Sequence, residues 1–309
     1  MINAFLKTIE DLANRNDKIL LVSGDAGSGP FVNFRSKFPN QFINAGIAEA
    51  NMITASAGLS KEGFIPFTYA IGAHIVYRPY EQIRNDVCLN NMNVKIVSVG
   101  SGLHYADHGP THQTLEDIAI LNVLPNMTIF SPSNPTEAIT LTREAARING
   151  PVFIRIGRGG DLGLNKRVEP GKGLIIKEGH DITIFCTGGT VPDSYHAAME
   201  LEKEEISVKV INIHSIKPID NEIINKEVQE TRAVLCIEEH QICGGLGDIV
   251  LAVVMKECNE PIIFEKMGID DEFCSYNGSY EGIKVKYRMT ENDIKNKLIG
   301  IYKKKNGIE

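Results

Sequence analysis

Apolar residues in the first half of the chain gather in short blocks, at 18–23, 41–44, 64–69, 94–99, 127–131 and 152–156. Several of these blocks are apolar throughout, the pattern of strands whose sheet is covered on both faces. Between them, the stretches 46–60, 74–89, 112–123 and 134–148 carry helical spacing, and Ser133-Asn134-Pro135 predicts a cap followed by a first-turn proline. That alternation predicts a parallel sheet wrapped by helices. From 157 to 181 the periodicity lapses into a polar, glycine-rich crossing, with Gly157-Arg158-Gly159-Gly160-Asp161, Pro170-Gly171 and Gly179-His180. A domain boundary is expected there. The alternation then resumes, with strands predicted at 182–186, 207–212, 233–238 and 261–265 and helices at 190–204, 219–229, 244–257 and 290–304. The expected architecture is α/β, two doubly wound domains, with residues 1–165 in the first and 166–309 in a smaller second.

Composition narrows the function classes. The 309 residues are 43% hydrophobic and 23% charged, an ordinary globular balance. A net charge of -7 without a basic run excludes a nucleic-acid footprint, and Lys303-Lys304-Lys305 reads as a solvated helix end. Small-molecule or protein partners are expected instead. No stretch approaches the ~20 apolar residues that span a bilayer, and the segment Met1-Ile2-Asn3-Ala4-Phe5-Leu6-Lys7 lacks the blocks of a signal peptide, so a cytoplasmic location is expected. The six cysteines form no C-x-x-C pair and read as reduced packing residues.

Against that background Glu49 stands out. It sits within Ala45-Gly46-Ile47-Ala48-Glu49-Ala50-Asn51-Met52-Ile53, a run of small and apolar residues that otherwise reads as a buried helix start. A buried carboxylate either finds a donor or has its proton affinity raised, which is also how a chain makes a proton carrier. A helix-start acid bonded to free backbone N–H groups is the plainer alternative. The second concentration of chemistry is the loop Ser101-Gly102-Leu103-His104-Tyr105-Ala106-Asp107-His108-Gly109-Pro110-Thr111-His112-Gln113, which follows a predicted strand at the end where open α/β sheets bind ligands. A zinc site is its rival reading. His104, His108 and His112 are spaced to face one way on a helix, but Gly109-Pro110 breaks that helix.

The run from Asn44 to Asn51, then Tyr80-Glu81-Gln82-Ile83-Arg84-Asn85-Asp86, then His108-Gly109-Pro110-Thr111-His112-Gln113, resembles the pyrimidine-binding domain of transketolase. In the second half, His214-Ser215-Ile216-Lys217-Pro218-Ile219-Asp220, Glu238-Glu239-His240 and Gly244-Gly245-Leu246-Gly247 are similar to the transketolase C-terminal domain. The family's Gly-Asp-Gly…Asn metal motif is missing; Gly24-Asp25-Ala26 and Gly247-Asp248-Ile249 lack its third glycine and its asparagine. The resemblance therefore implies the second section of a split transketolase. Thiamine diphosphate and its Mg2+ or Ca2+ would be anchored mainly by a partner, the N-terminal transketolase subunit with the diphosphate-binding domain, in an α2β2 heterotetramer, with no metal ligand on this chain.

By the same resemblance Glu49 bonds the cofactor's ring nitrogen, so that the cofactor's own imino group removes the thiazolium proton. His112 falls on a position that bonds substrate oxygens, Asp25 on one contacting the cofactor, and Arg158 on one receiving a substrate phosphate; His104 and His108 join the substrate-binding set. The ring that stacks on the aminopyrimidine falls near Ile75, with Tyr77 two residues on. His108 stands where the family usually carries aspartate, and Gly100 where it carries a phosphate-contacting histidine. A modified or nucleotide-linked sugar substrate is expected in consequence. The rivals are the β subunit of a 2-oxo-acid dehydrogenase, which shares the layout and the glutamate, and a non-catalytic scaffold subunit.

Overall fold

Each predicted apolar block forms a strand in the computed structural model, which describes residues 1–25, 29–164, 166–258 and 260–308. Ala26 beside Asp25 and the expected boundary residue Asn165 lie outside the described residues. The strands in chain order are β1 (Ile19–Ser23), β2 (Phe42–Asn44), β3 (Ile65–Ile71), β4 (Lys95–Val99), β5 (Thr128–Phe130), β6 (Val152–Ile156), β7 (Leu174–Lys177), β8 (Ile182–Cys186), β9 (Val208–Asn212), β10 (Ser215–Lys217), β11 (Ala233–Gln241) and β12 (Ile263–Ile269). The helices are α1 (Ile2–Ala13), α2 (Val32–Lys37), α3 (Glu49–Lys61), α4 (Gly72–Tyr77), α5 (Tyr80–Gln82), α6 (Asp117–Asn122), α7 (Pro135–Arg147), α8 (Thr190–Glu202), α9 (Asn221–Thr231), α10 (Leu246–Glu257), α11 (Tyr280–Lys286) and α12 (Glu291–Asn306).

The first sheet runs β10-β5-β6-β4-β3-β1-β2 and the second β12-β11-β8-β9-β7. Within the first, β1 to β6 pair in parallel, and β10 joins its edge antiparallel to β5. In the second, only edge strand β7 is antiparallel. Strands β1, β4, β6, β8 and β9 are buried along their whole length, which accounts for their largely apolar sequence. Residues 215–217, outside the strands the sequence predicts, thus tie the second half of the chain to the first sheet.

Local chemistry explains the element ends. Asn134 caps α7, its side chain accepting from Glu137 N at 2.9 Å with Pro135 in the first turn, as the sequence predicts. The helix expected over 74–89 breaks instead: Pro79 has no N–H to donate, and the chain restarts as α5 and then a π-helical turn over Ile83–Leu89. The helix expected over 112–123 shortens to α6, because Thr114 pairs its backbone with Gly102 at 3.0 and 3.2 Å and holds the preceding segment as loop. Helix α1, absent from the sequence reading, buries Phe5, Ile9 and Ala13 at helical spacing against the first sheet. All six cysteines are free thiols, with Cys88, Cys186, Cys236 and Cys274 buried. Among the described residues no helix is long and apolar enough to cross a membrane.

Candidate active site

Five parallel strands deliver the predicted site residues at their carboxyl ends. Asp25 follows β1, Glu49 follows β2, α4 follows β3, the histidine loop follows β4 and Arg158 follows β6. This common edge is where an open, doubly wound sheet leaves a crevice for ligands.

Glu49 is the first residue of α3 and only 3% exposed. Its donor is a side chain rather than the helix backbone: Arg78 Nη1 donates to both carboxylate oxygens at 3.0 Å. Arg78 itself is 48% exposed. His74, on α4, places Nδ1 3.9 Å from Glu49 Oε1. Burial holds the His74 imidazolium below its ordinary range, the Arg78 charge adds to that, and Glu49 opposes it. Neither Arg78 nor His74 is singled out by the sequence, although Arg78 lies two residues before the Tyr80–Asp86 run. The carboxylate and its partners are separated by more than twenty positions in the chain, so only the fold pairs them.

A row of rings continues from there. The His74 and His112 centroids lie 5.2 Å apart, those of His112 and His108 5.1 Å, and Tyr105 stands 5.4 Å from His108. His108 Nδ1 bonds Asp107 Oδ1 at 2.8 Å, and that bond holds the Asp107 carboxyl below its usual range. His112 Nδ1 meets Thr111 Oγ1 at 3.0 Å. His104 turns away from this row and packs on Tyr105, its Nδ1 buried without a partner among the described residues. Burial, assisted by the Arg158 charge, pushes its pKa down to about 4. The same residues include no cluster of His, Cys, Asp or Glu placed to hold a metal ion.

Arg158 forms no surface ion pair among the described residues; its guanidinium lies over the Tyr280 ring at 4.8 Å. Asp25, in the left-handed region with φ 54°, accepts from Asn44 Nδ2 at 3.4 Å. Ile75 is enclosed in the main apolar core and presents no surface at the crevice. Tyr77 is partly exposed, but its hydroxyl bonds Glu116 and accepts from Glu116 N at 3.3 Å, which draws the ring toward α6. Arg84 bonds Asn85 and Asp86 accepts from Thr54 at 2.6 Å, both structural contacts.

In the second half, Glu238, Glu239 and His240 are saturated. Glu238 accepts from Leu246 N at 2.7 Å and Gly247 N at 2.9 Å, capping α10. Glu239 accepts from Leu103 N at 3.1 Å and from the Tyr280 hydroxyl; burial raises its pKa. His240 donates from Nδ1 to Gln241 O at 2.7 Å and accepts from Ala119 N at Nε2, which fixes the neutral tautomer. Within the first half Arg155 Nε pairs with buried Asp117 Oδ2 at 2.8 Å, and Arg155 Nη2 reaches across to the second half, donating to Glu239 O at 2.7 Å.

The chain thus consists of two packed α/β units, with a buried carboxylate and a row of imidazoles at the carboxyl edge of the first sheet. Residues 1–160 match the transketolase pyrimidine-binding domain and residues 171–279 the transketolase C-terminal domain. A putative transketolase C-terminal section from Methanocaldococcus jannaschii is 35% identical over 274 residues, covering 86% of this chain and 85% of that protein. A subunit of the apulose-4-phosphate transketolase from Phocaeicola vulgatus is 34% identical, covering 90% of each. A 1-deoxy-D-xylulose-5-phosphate synthase from Geobacter sulfurreducens is 34% identical over 87% of this chain, which spans only 43% of that longer protein. Among solved structures, a split-gene transketolase described as an inactive β4 tetramer superposes with a TM-score of 0.88 at 35% identity, covering 97% of both chains. The chain belongs to the transketolase family.

Proposed function

We propose that this chain is one subunit of a two-chain, thiamine-diphosphate-dependent transketolase that moves a two-carbon ketol unit from a ketose to an aldehyde-bearing, modified sugar. The observation that carries the reading is Glu49: a carboxylate 3% exposed at the site edge whose strong partner among the described residues, Arg78, is half in solvent. Backbone amides would hold such an acid permanently. A solvent-reachable arginine releases it to a ligand.

The residues present fit the pyrimidine end of the cofactor. A buried carboxylate with one imidazole beside it suits a protonatable ring nitrogen as hydrogen-bond partner, and Gly24 keeps the space beside it clear, since a Cβ there would stand 3.3 Å from Ala70 Cβ and 3.7 Å from Glu49 Cγ. The Gln113 amide, next to His112, is buried with neither polar atom bonded among the described residues. Such orphaned groups suit a ligand or a partner chain. When bound, thiamine diphosphate supplies the carbon centre that takes up and releases the two-carbon unit. Glu49 holds a hydrogen bond at the ring nitrogen, in a place where little water competes. His112 and His108 orient the sugar oxygens, and Asp25 with Asn44 bounds the entry. Diphosphate and its Mg2+ or Ca2+ come from a partner chain in an α2β2 assembly, a reading supported by the Phocaeicola relative's being one subunit of a transketolase and by the inactive β4 tetramer.

The test is to co-purify the chain with the product of its neighbouring gene and assay ketol transfer. Activity and thiamine diphosphate are expected in the pair and neither in the chain alone. Comparable turnover of xylulose 5-phosphate and ribose 5-phosphate would refute the modified-sugar assignment. Pyruvate decarboxylation without ketol transfer would favour the 2-oxo-acid dehydrogenase reading, and an inactive pair that forms normally would favour the scaffold.

A further inference from the structure

His74 lies within α4 and Arg78 closes it, and both reach Glu49, but they are held differently. Gly72, the first residue of the helix, sits so close to β4 and to the segment after His112 that a Cβ would collide with Thr114 Oγ1 and stand 2.7 Å from Ser98 Oγ. Ala73, Ile75 and Val76 are buried beside it. That seating fixes the backbone carrying His74 and sets the imidazole between two groups: Glu49, with Nδ1 3.9 Å from Oε1, and His112, with ring centroids 5.2 Å apart at 63°. Among the described residues neither ring nitrogen of His74 is hydrogen-bonded, so its donor is free. The His74 side chain is 23% exposed, against 48% for Arg78. Moving into water returns to a long arginine the rotamer freedom it loses when held; a short ring on a packed helix has little to regain. The two donors also act differently on the acid. The guanidinium spans both oxygens at 3.0 Å and cancels the charge. A neutral imidazole has one N–H, so it occupies one oxygen and leaves the charge for another donor. Burial holds His74 toward that neutral form; Arg78 adds to the effect, Glu49 opposes it, and His112 adds a smaller contribution.

We infer that His74 is a positioning residue that works by exchange of donors: when a ligand enters the crevice Arg78 leaves Glu49, the His74 Nδ1–H closes the 3.9 Å gap to Oε1, and Oε2 is left to the ligand's ring nitrogen. The carboxylate is then oriented from inside the fold while one oxygen stays open to the crevice. The edge contact with His112 ties that orientation to the end of the site where sugar oxygens are expected. This deepens the transketolase reading, on which only the identity of the ligand as an aminopyrimidine rests; the exchange itself is a property of this chain's own residues.

The exchange can be forced without a cofactor. In the full chain carrying Arg78→Ala, imidazole nitrogen magnetic resonance is expected to place the His74 proton on Nδ1, slowed in its exchange with water, with a titration midpoint about one pH unit above the parent's. Adding Glu49→Gln removes both changes. A His74 that keeps its proton on Nε2, or an Nδ1 proton indifferent to Glu49→Gln, overturns the inference. In the assembled pair, thiamine diphosphate affinity measured by calorimetry is expected to fall about tenfold in His74→Leu and to return to within about threefold of the parent in His74→Asn, whose amide N–H stands near the Nδ1 position. A ring needed only for packing gives the reverse order; that order, or unchanged affinity in His74→Leu, contradicts the exchange. Should Arg78→Ala fail to fold, the Leu and Asn variants decide. A parent pair that binds no thiamine diphosphate sinks the transketolase reading, while the Arg78→Ala titration still decides the exchange.

Discussion

Glu49 and Glu238 are both 3% exposed; Glu49 opens α3, and Glu238, near the carboxyl end of β11, meets the start of α10. Their partners differ. Glu238 is bonded to two backbone N–H groups of α10 that have nowhere else to go, whereas Glu49 is bonded to the end of a half-exposed arginine. Burial of an acid therefore does not by itself distinguish the two; the partner does, and the solvent-reachable one is what the proposed role of Glu49 needs. The same contrast runs through the two halves. In the first, imidazoles and the unbonded Gln113 amide lie at one edge of the sheet, while in the second Glu227 is closed by Lys209 and Lys226 and His240 by backbone.

The largest expected effect lies in the first half, at a buried acid whose partner solvent cannot receive. Asp117→Ala strands the Arg155 guanidinium, 2% exposed, with only carbonyl partners; the expected cost is about 3–5 kcal/mol in denaturant unfolding. A smaller loss, under about 1 kcal/mol, would mean that Arg155 does not depend on this carboxylate.

A second test uses pH. His214, wholly buried where β9 leads into β10, has its pKa pushed down by burial to about 4. Below pH 6.5 the unfolded chain takes up a proton that the folded chain refuses until about pH 4. Stability thus falls as pH drops through that window, by on the order of 3 kcal/mol for this group. Chemical denaturation of His214→Gln should show a flatter profile there than the parent; an identical slope would contradict the assignment.

The third and smallest effect sharpens the pair of acids directly. Glu238→Ala leaves two helix N–H groups unsatisfied and is expected to cost about 1–3 kcal/mol without changing turnover per folded assembly. Reduced turnover with unchanged stability would erase the distinction between the halves.

Much of the fold was legible because fully buried parallel strands must be apolar, so β6 and β8 fall on the expected blocks, residue for residue. Elements with weak local signal were not: β10 is three residues long and exists by pairing with β5 across the chain, and β7 is a partly exposed edge. Within the site, Glu49 announced itself by being charged in an apolar run, and the histidine loop by its density. Arg78, His74 and Tyr280 carried no such anomaly, since an arginine before proline or a tyrosine on a short helix is ordinary until folding sets it against a carboxylate or a guanidinium. Of the two positions expected to stack on the aminopyrimidine, Ile75 is core and the Tyr77 hydroxyl is bonded to Glu116, arrangements that only the fold reveals.

The most direct test measures hydrogen–deuterium exchange at the thiazolium C2 of thiamine diphosphate bound to the assembled pair, with Glu49 and with Glu49→Gln. The account predicts unchanged cofactor content and exchange slowed by about 10²–10⁴. Exchange at the parent rate in Glu49→Gln would contradict it.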